Sequence, residues 1–147
     1  LTISNQSNTT VGTRSSSKFD HYEEGTFTAS LTAATPPTSV PTTTANYTRI
    51  GNVVHFEIKF AASDTSGASG VMEVTGLPFT VANGNNSDYS PVNAIFYALP
   101  YSNSTAIVYR NESKVRFFNQ VDGAAWNNYN IGAGADKYLW LSGTYQV

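Results

Sequence analysis

Residues Asn46 to Phe60, NYTRIGNVVHFEIKF, decide the fold class. They read as two strands joined by a two-residue turn at Gly51-Asn52. A glycine in the first turn position supplies the backbone geometry that a tight hairpin of twisted strands prefers. The turn sets the register: Ile50 faces Val53, Arg49 faces Val54, Thr48 faces His55 and Tyr47 faces Phe56. Side chains alternate across a strand, so Tyr47, Val54, Phe56, Ile58 and Phe60 share one face, and Thr48, His55, Glu57 and Lys59 share the other. An apolar face therefore backs onto a mainly polar one, with Tyr47 and Phe56 forming an aromatic cross-strand pair. A core is expected on the first face.

On the N-terminal side, Thr26 to Leu31 alternates with Phe27, Ala29 and Leu31 together, which predicts a strand. Asp20 to Gly25, DHYEEG, reads as a polar hinge. Residues 1–20 read as a lead-in linker or the end of an upstream shaft, and residues 21–147 as the domain proper. With no N-terminal Met and no signal-like apolar run, Leu1 reads as a boundary of processing or cloning. Thr35 to Pro41 is a proline-rich loop through which no central strand can run.

On the C-terminal side, Ala61 to Gly70 reads as a flexible loop of small residues and Val71 to Thr75 as a short strand. Gly76-Leu77-Pro78-Phe79 ends that strand, with Leu77 and Phe79 on one side, placed to plug the end of a sandwich. Asn83 to Ser90 reads as a polar loop. Val92 to Leu99 is apolar nearly throughout, which predicts a strand covered on both faces. Further strands are expected at Thr105 to Arg110, Lys114 to Asn119 and Lys137 to Val147, with turns at Tyr101 to Ser104 and Asn111 to Ser113 and a long loop over Val121 to Gly134. The last strand places Leu139, Leu141, Tyr145 and Val147 on one face and Tyr138 and Trp140 on the other. Apolar residues nowhere recur at helical spacing. Seven to nine short strands between Gly, Pro and Asn turns predict an all-β protein, an antiparallel β-sandwich of jelly-roll-like kind.

The 147 residues suit one domain, 40% hydrophobic and only 12% charged, with about a third Ser, Thr or Asn. Such a composition fits rigid extracellular β-structure and argues against a disordered charged chain. The net charge is −2, and the eight Lys and Arg are scattered, so no basic patch marks a nucleic-acid partner. The absence of cysteine excludes disulfides, thiolate metal sites and a cysteine nucleophile. No apolar run is long enough to insert in a membrane as a helix.

Four segments in order resemble the C-terminal domains of tailed-phage tail fibres and related virion appendages. They are Glu24-Gly25-Thr26-Phe27-Thr28, Tyr47 to Val54, Thr75-Gly76-Leu77-Pro78-Phe79-Thr80 and Leu141-Ser142-Gly143-Thr144-Tyr145-Gln146-Val147. In that family the first segment usually reads EGTW before a proline-containing strand; here Phe27 replaces the Trp and no proline follows closely. The resemblance implies a compact β-domain at a fibre tip, usually trimeric, that meets the host surface or caps the trimer. It implies no reaction, and it carries over only structural residues: the Gly51-Asn52 turn, the plug and the final strand. Tyr138 and Trp140 supply an independent reason for a homotrimer. Their face needs cover from a loop of the same chain or from a neighbouring copy, and the family favours the copy.

Ala125-Trp126-Asn127-Asn128-Tyr129-Asn130 is the leading candidate for binding a glycan. Aromatic rings can take the apolar C–H faces of sugars, and Asn amides both donate and accept hydrogen bonds. Tyr101 with Asn103, and Asn85, Asp88 and Tyr89, are weaker candidates, although turn chemistry alone accounts for most such Asn and Asp residues. Glycoside hydrolysis needs two carboxyl groups roughly 5–9 Å apart; Glu57 and Glu73, expected on solvent faces, and Glu23, Glu24, Asp122 and Asp136, in loops, read as solvated surface acids. His21 and His55 stand in no metal-binding spacing, and no metal or cofactor is expected. There is no GxSxG elbow, no phosphate loop around Gly132-Ala133-Gly134 and no calcium loop at Asp20 to Glu24. Sequons at Asn5, Asn8, Asn46, Asn85, Asn103 and Asn111 would matter only in a glycosylating host. The residues alone suggest an all-β binding domain, and the resemblance implies a non-enzymatic virion tip domain, extracellular, expected to bind a host surface glycan. A ligand-free trimerisation cap and a glycan depolymerase are the alternatives.

Overall fold

The computed structural model describes residues 21–84, 89–99 and 104–147; the lead-in over residues 1–20 and the candidates Tyr101, Asn103, Asn85 and Asp88 lie outside them. The described residues form nine antiparallel strands and no helix. The strands are β1 (Tyr22–Thr35), β2 (Thr42–Ile50), β3 (Val53–Ser63), β4 (Ser69–Thr75), β5 (Tyr89–Tyr97), β6 (Ser104–Tyr109), β7 (Lys114–Asn119), β8 (Asn127–Asn128) and β9 (Lys137–Gln146).

The β2–β3 hairpin has the register read from its turn, from Ile50↔Val53 to Asn46↔Glu57, and Gly51 takes a φ of +60°. Val54, Phe56, Ile58 and Phe60 are buried. Neighbouring strands follow in the order β4-β1-β2-β3-β9-β5-β6-β7, and β4 pairs with β7. That last pairing closes the sheet. The expected sandwich of two separate sheets is therefore replaced by an eight-stranded closed barrel, with short β8 added beside β7. Closure removes the free edges that a sandwich would leave. Its interior is apolar and filled, the inverse of a water-filled transmembrane barrel. Among the described residues no helix is long and apolar enough to cross a membrane.

The closing seam is composite. β4 and β7 pair only from Glu73↔Arg116 to Thr75↔Lys114. Beyond that they splay, and residues 127–131 fill the gap. The Tyr129 amide donates to the Phe117 carbonyl (3.0 Å), the Met72 amide to the Tyr129 carbonyl (2.9 Å) and the Ile131 amide to the Gly70 carbonyl (2.9 Å). Tyr129 is thereby carried into the core, with ring centroids 5.6 Å from Phe96 and 6.3 Å from Phe117.

One end of the barrel is plugged as expected. Leu77 is buried, and Phe79 packs edge-on against Tyr47 at 5.4 Å. Gly76 has a φ of +92°, and a Cβ there would meet the Thr28 carbonyl oxygen at 2.3 Å, so only glycine lets the chain turn in under β1. The Tyr145 hydroxyl donates to the Phe79 carbonyl (3.2 Å) and accepts from the Phe79 amide (3.3 Å). The hairpin turn ties both ends of the described domain to this same end of the barrel: the Gly51 amide donates to the His21 carbonyl (2.8 Å), and the Val147 amide to the Asn52 carbonyl (2.9 Å). The four segments that carry the resemblance meet here.

Three local readings change. The polar hinge is strand: Tyr22 to Gly25 pair with Ile50 to Tyr47, and the Tyr47 hydroxyl donates to Glu23. The loop between β3 and β4 is shorter than expected and anchored, because the hydroxyl of buried Thr65 donates to the Gly132 carbonyl (2.8 Å) and its amide to the Gly134 carbonyl (2.8 Å). β5 is covered on one face only: Val92 is buried and Ala94 and Phe96 pack on the core, while Ile95 and Tyr97 stand outside, 62% and 66% exposed.

β9 lies between β3 and β5, and its Gly143 faces Phe56 on one side and Val92 on the other. A Cβ at Gly143 would stand 2.9 Å from the Phe56 ring and 3.1 Å from Val92. Gly143→Ala is expected to cost about 1–3 kcal/mol of stability, read as a lower urea midpoint at unchanged slope; an unchanged midpoint would show that the core yields there freely. Burial pushes the Tyr129 and Tyr145 hydroxyls up from 10 to about 12. Between those values the unfolded chain has released protons that the folded chain retains, so this stabilisation is complete below pH 10 and is lost as pH rises toward 12. The Tyr129 hydroxyl has no hydrogen-bond partner among the described residues. Tyr129→Phe should therefore raise the alkaline unfolding midpoint without loss at neutral pH, whereas Tyr145→Phe should cost about 1 kcal/mol at neutral pH. Circular dichroism during base titration and urea unfolding at neutral pH measure the two effects.

Candidate functional site

Alternation that fills the barrel also decides what stands on its outer wall. On β5 the outward row is Tyr89, Pro91, Asn93, Ile95 and Tyr97; Tyr89 pairs with Tyr109 of β6 and Pro91 with Ile107. Ile107 pairs in turn with Arg116, and Thr105 with Phe118, on β7. Tyr89, Pro91, Ile107, Tyr109, Phe118 and Trp126 enclose a groove of about 570 Å³ on this wall, within the range of small-ligand sites. Ile107 is nearly buried although it faces outward.

Each exposed ring of the groove is propped by a second. Tyr89, 47% exposed, stands edge-to-face with Tyr109 at 4.7 Å. Trp126, 56% exposed, leans on Phe118 at 5.8 Å. The Arg116 guanidinium lies 4.4 Å from the centre of the Tyr109 ring and that of Arg110 lies 5.9 Å from Tyr89. Beside the groove, Lys114 donates to Glu73 (2.9 Å) and Arg116 to Glu112. Arg116 Nε is 3.6 Å from Glu73 and Glu112 Oε2 is 3.8 Å from Lys114 Nζ, ion-pair distances too long for hydrogen bonds, and neither atom has a hydrogen-bond partner among the described residues.

Of the residues expected to bind a glycan, Trp126 stands in this groove, and exposed Asn128 shares the face of its partner Phe118, whereas exposed Asn127 pairs with Asn119 and so belongs to the opposite face. Tyr129 does not: it is 1% exposed, because the seam turns it inward, so it leaves the candidate surface. Tyr89, one of the weaker candidates, joins Trp126. Tyr109 and Phe118 were not singled out in the sequence, although the parity of β6 and β7 puts both outward. Pro91 and Ile107 were hidden for the same reason as Tyr109, since an outward apolar side chain looks like core until its neighbours are known.

A second apolar surface lies farther along β5. Ile95 pairs with Trp140 of β9 and Tyr97 with Tyr138, and these four line a hollow of about 420 Å³. The Tyr97 and Tyr138 rings meet at 5.5 Å, and Lys59 Nζ lies 4.7 Å from the centre of the Trp140 ring. Tyr138 and Trp140 thus point outward as read, with Ile95 and Tyr97 completing the stripe.

The remaining titratable groups cluster weakly. His55 is exposed, 3.3 Å from the Thr144 hydroxyl and 3.9 Å from Glu57. At the plugged end, Glu23 accepts from Tyr47 and contacts His21 at 2.9 Å. The Tyr47 hydroxyl, then His21, hold the Glu23 carboxyl below its ordinary range. Among the described residues no group of three or more His, Cys, Asp or Glu is arranged to hold a metal ion. No protein-family model matches the chain, and no curated protein matches its sequence.

Proposed function

We propose that this chain is a non-enzymatic receptor-binding domain at the tip of a virion appendage, a phage tail fibre, where it attaches as a homotrimer to a glycan of the host cell surface. The observation that carries the reading is the groove, with exposed Tyr89 and Trp126 held in place by Tyr109 and Phe118 on the wall of a closed barrel. Rings with few torsions lose little freedom on binding, and they offer apolar faces to sugar C–H groups beside the amide of Asn128.

Assembly is supported by the outer stripe. Ile95, Tyr97, Tyr138 and Trp140 make an apolar surface of the kind that copies of a chain cover in one another. Three equivalent sites then raise avidity without new contacts. The virion setting is supported by the four segments that converge on the plugged end. The stripe alone would equally serve a trimerisation cap that binds nothing. Glu73 and Glu112 are tied to Lys114 and Arg116, which favours binding over hydrolysis, since hydrolysis needs one carboxyl group free to deliver a proton.

Two measurements test the reading. Trp126→Ala is expected to weaken adhesion of labelled protein to host cells by at least about tenfold, and unchanged adhesion would remove the groove as the site. Light scattering is expected to give the mass of a trimer for the natural chain and of a monomer for Trp140→Lys. A natural chain with the mass of one copy would overturn the trimer.

A further inference from the structure

We infer that the groove takes a neutral, linear saccharide of at least two units, one against Tyr89 and one against Trp126. This deepens the glycan reading above and rests on it. Strand register sets the two exposed rings toward opposite ends of the groove. Tyr109, which props Tyr89, is four residues along β6 from Thr105, the partner of Phe118, which props Trp126. Four residues of strand span roughly 13 Å, more than one sugar ring covers. Pro91 and Ile107 form an apolar floor between the two ends.

The charges beside the groove select against an ionic ligand. Glu73 and Glu112 face Lys114 and Arg116, two carboxylates against two cations, and they cancel at close range. The Arg116 guanidinium also lies against Tyr109, and Arg110, whose charge its 5.9 Å contact with the Tyr89 ring does not cancel, stands outside the six residues that line the groove. An anionic ligand would meet the two glutamates and a cationic one Lys114 and Arg116. The uncharged fringe consists of Asn93 and Thr105, the next outward residues after Pro91 and Ile107, together with Asn128 opposite Phe118. Hydroxyls and amides complement such a fringe, whereas a charged group would lose hydration there without a matched partner.

The test is calorimetric titration of the full chain with length-graded oligosaccharides, from monosaccharide to hexasaccharide. The series are α-1,4-glucan, β-1,4-glucan, β-1,4-linked N-acetylglucosamine and, as the acidic counterpart, polygalacturonate. An immobilised panel of bacterial surface polysaccharides is run alongside. In a series that binds, affinity is expected to rise about tenfold or more between the monosaccharide and the shortest oligomer that reaches both rings, then to level off. Tyr89→Ala should abolish that rise while leaving weak binding of the short ligand. Where only the panel binds, its neutral polysaccharides are expected to bind and to lose at least tenfold in affinity with Tyr89→Ala as with Trp126→Ala. A monosaccharide bound as tightly as its hexasaccharide, a preference for acidic ligands, or a Tyr89→Ala variant with undiminished binding would each overturn the inference while leaving a glycan-binding groove. No binding to any series or to any panel member would overturn the glycan reading itself.

Discussion

The structure depends on the register locked at Gly51-Asn52. A positive φ at Gly51 gives the turn whose twist suits two right-twisted strands, and the pairing that follows sends Val54, Phe56, Ile58 and Phe60 inward together. A slip of one residue would turn every one of them to solvent. β9 takes its register from β3, and β5 from β9, so the parity set at this turn passes around the barrel. The turn also holds both ends of the described domain, through the His21 carbonyl and the Val147 amide. One short hairpin therefore orders the core, aligns the final strand and closes one end.

Closure shows where local pattern stops being enough. Whether two sheets stay apart or join depends on β4 meeting β7, which lie far apart in sequence and share only a short ladder. Nothing in either strand announces the other. The seam is completed by residues 127–131, whose short pairings have no alternating pattern to read. Tyr129 sits in a run of Gly, Ala and Asn that looks like an exposed loop, and only the backbone bonds to Phe117 and Met72 turn it inward. Its unpartnered hydroxyl is the residue of that forced placement: the ring fills space between Phe96 and Phe117 although none of the described residues there accepts its proton.

Where alternation was clean, the sequence was legible. The hairpin pairs, the bounds of β7, the faces of β9 and the plug at Leu77 and Phe79 all follow from parity and turn chemistry. Where an apolar run hid the parity, it was not. Val92 to Leu99 looked buried on both sides because Ile95 and Tyr97 are as apolar as Val92 and Phe96. Trp126 could be picked out by type, being a large ring among small polar residues. Its neighbours in the groove come from β5, β6 and β7, and their meeting depends on strand order, which no single stretch encodes.

β5 links the two outer surfaces. Its outward row begins with Tyr89 and Pro91 in the groove and ends with Ile95 and Tyr97 in the stripe, with Asn93 between them. The groove end of β5, Tyr89 to Val92, is held by the ladder to β6, and the stripe end, Val92 to Tyr97, by the ladder to β9, so the two ladders meet at Val92. Copies associating through the stripe would therefore fix the distance from the contact to each groove, and the grooves of an assembly would stand at set separations. Rigid spacing of this kind rewards a ligand that repeats at the matching interval and gives nothing extra for one that does not. A saccharide presented densely on a surface meets that condition more readily than a sparse or mobile receptor. In such an assembly the backbone parity that fills the core would also govern how several weak contacts add.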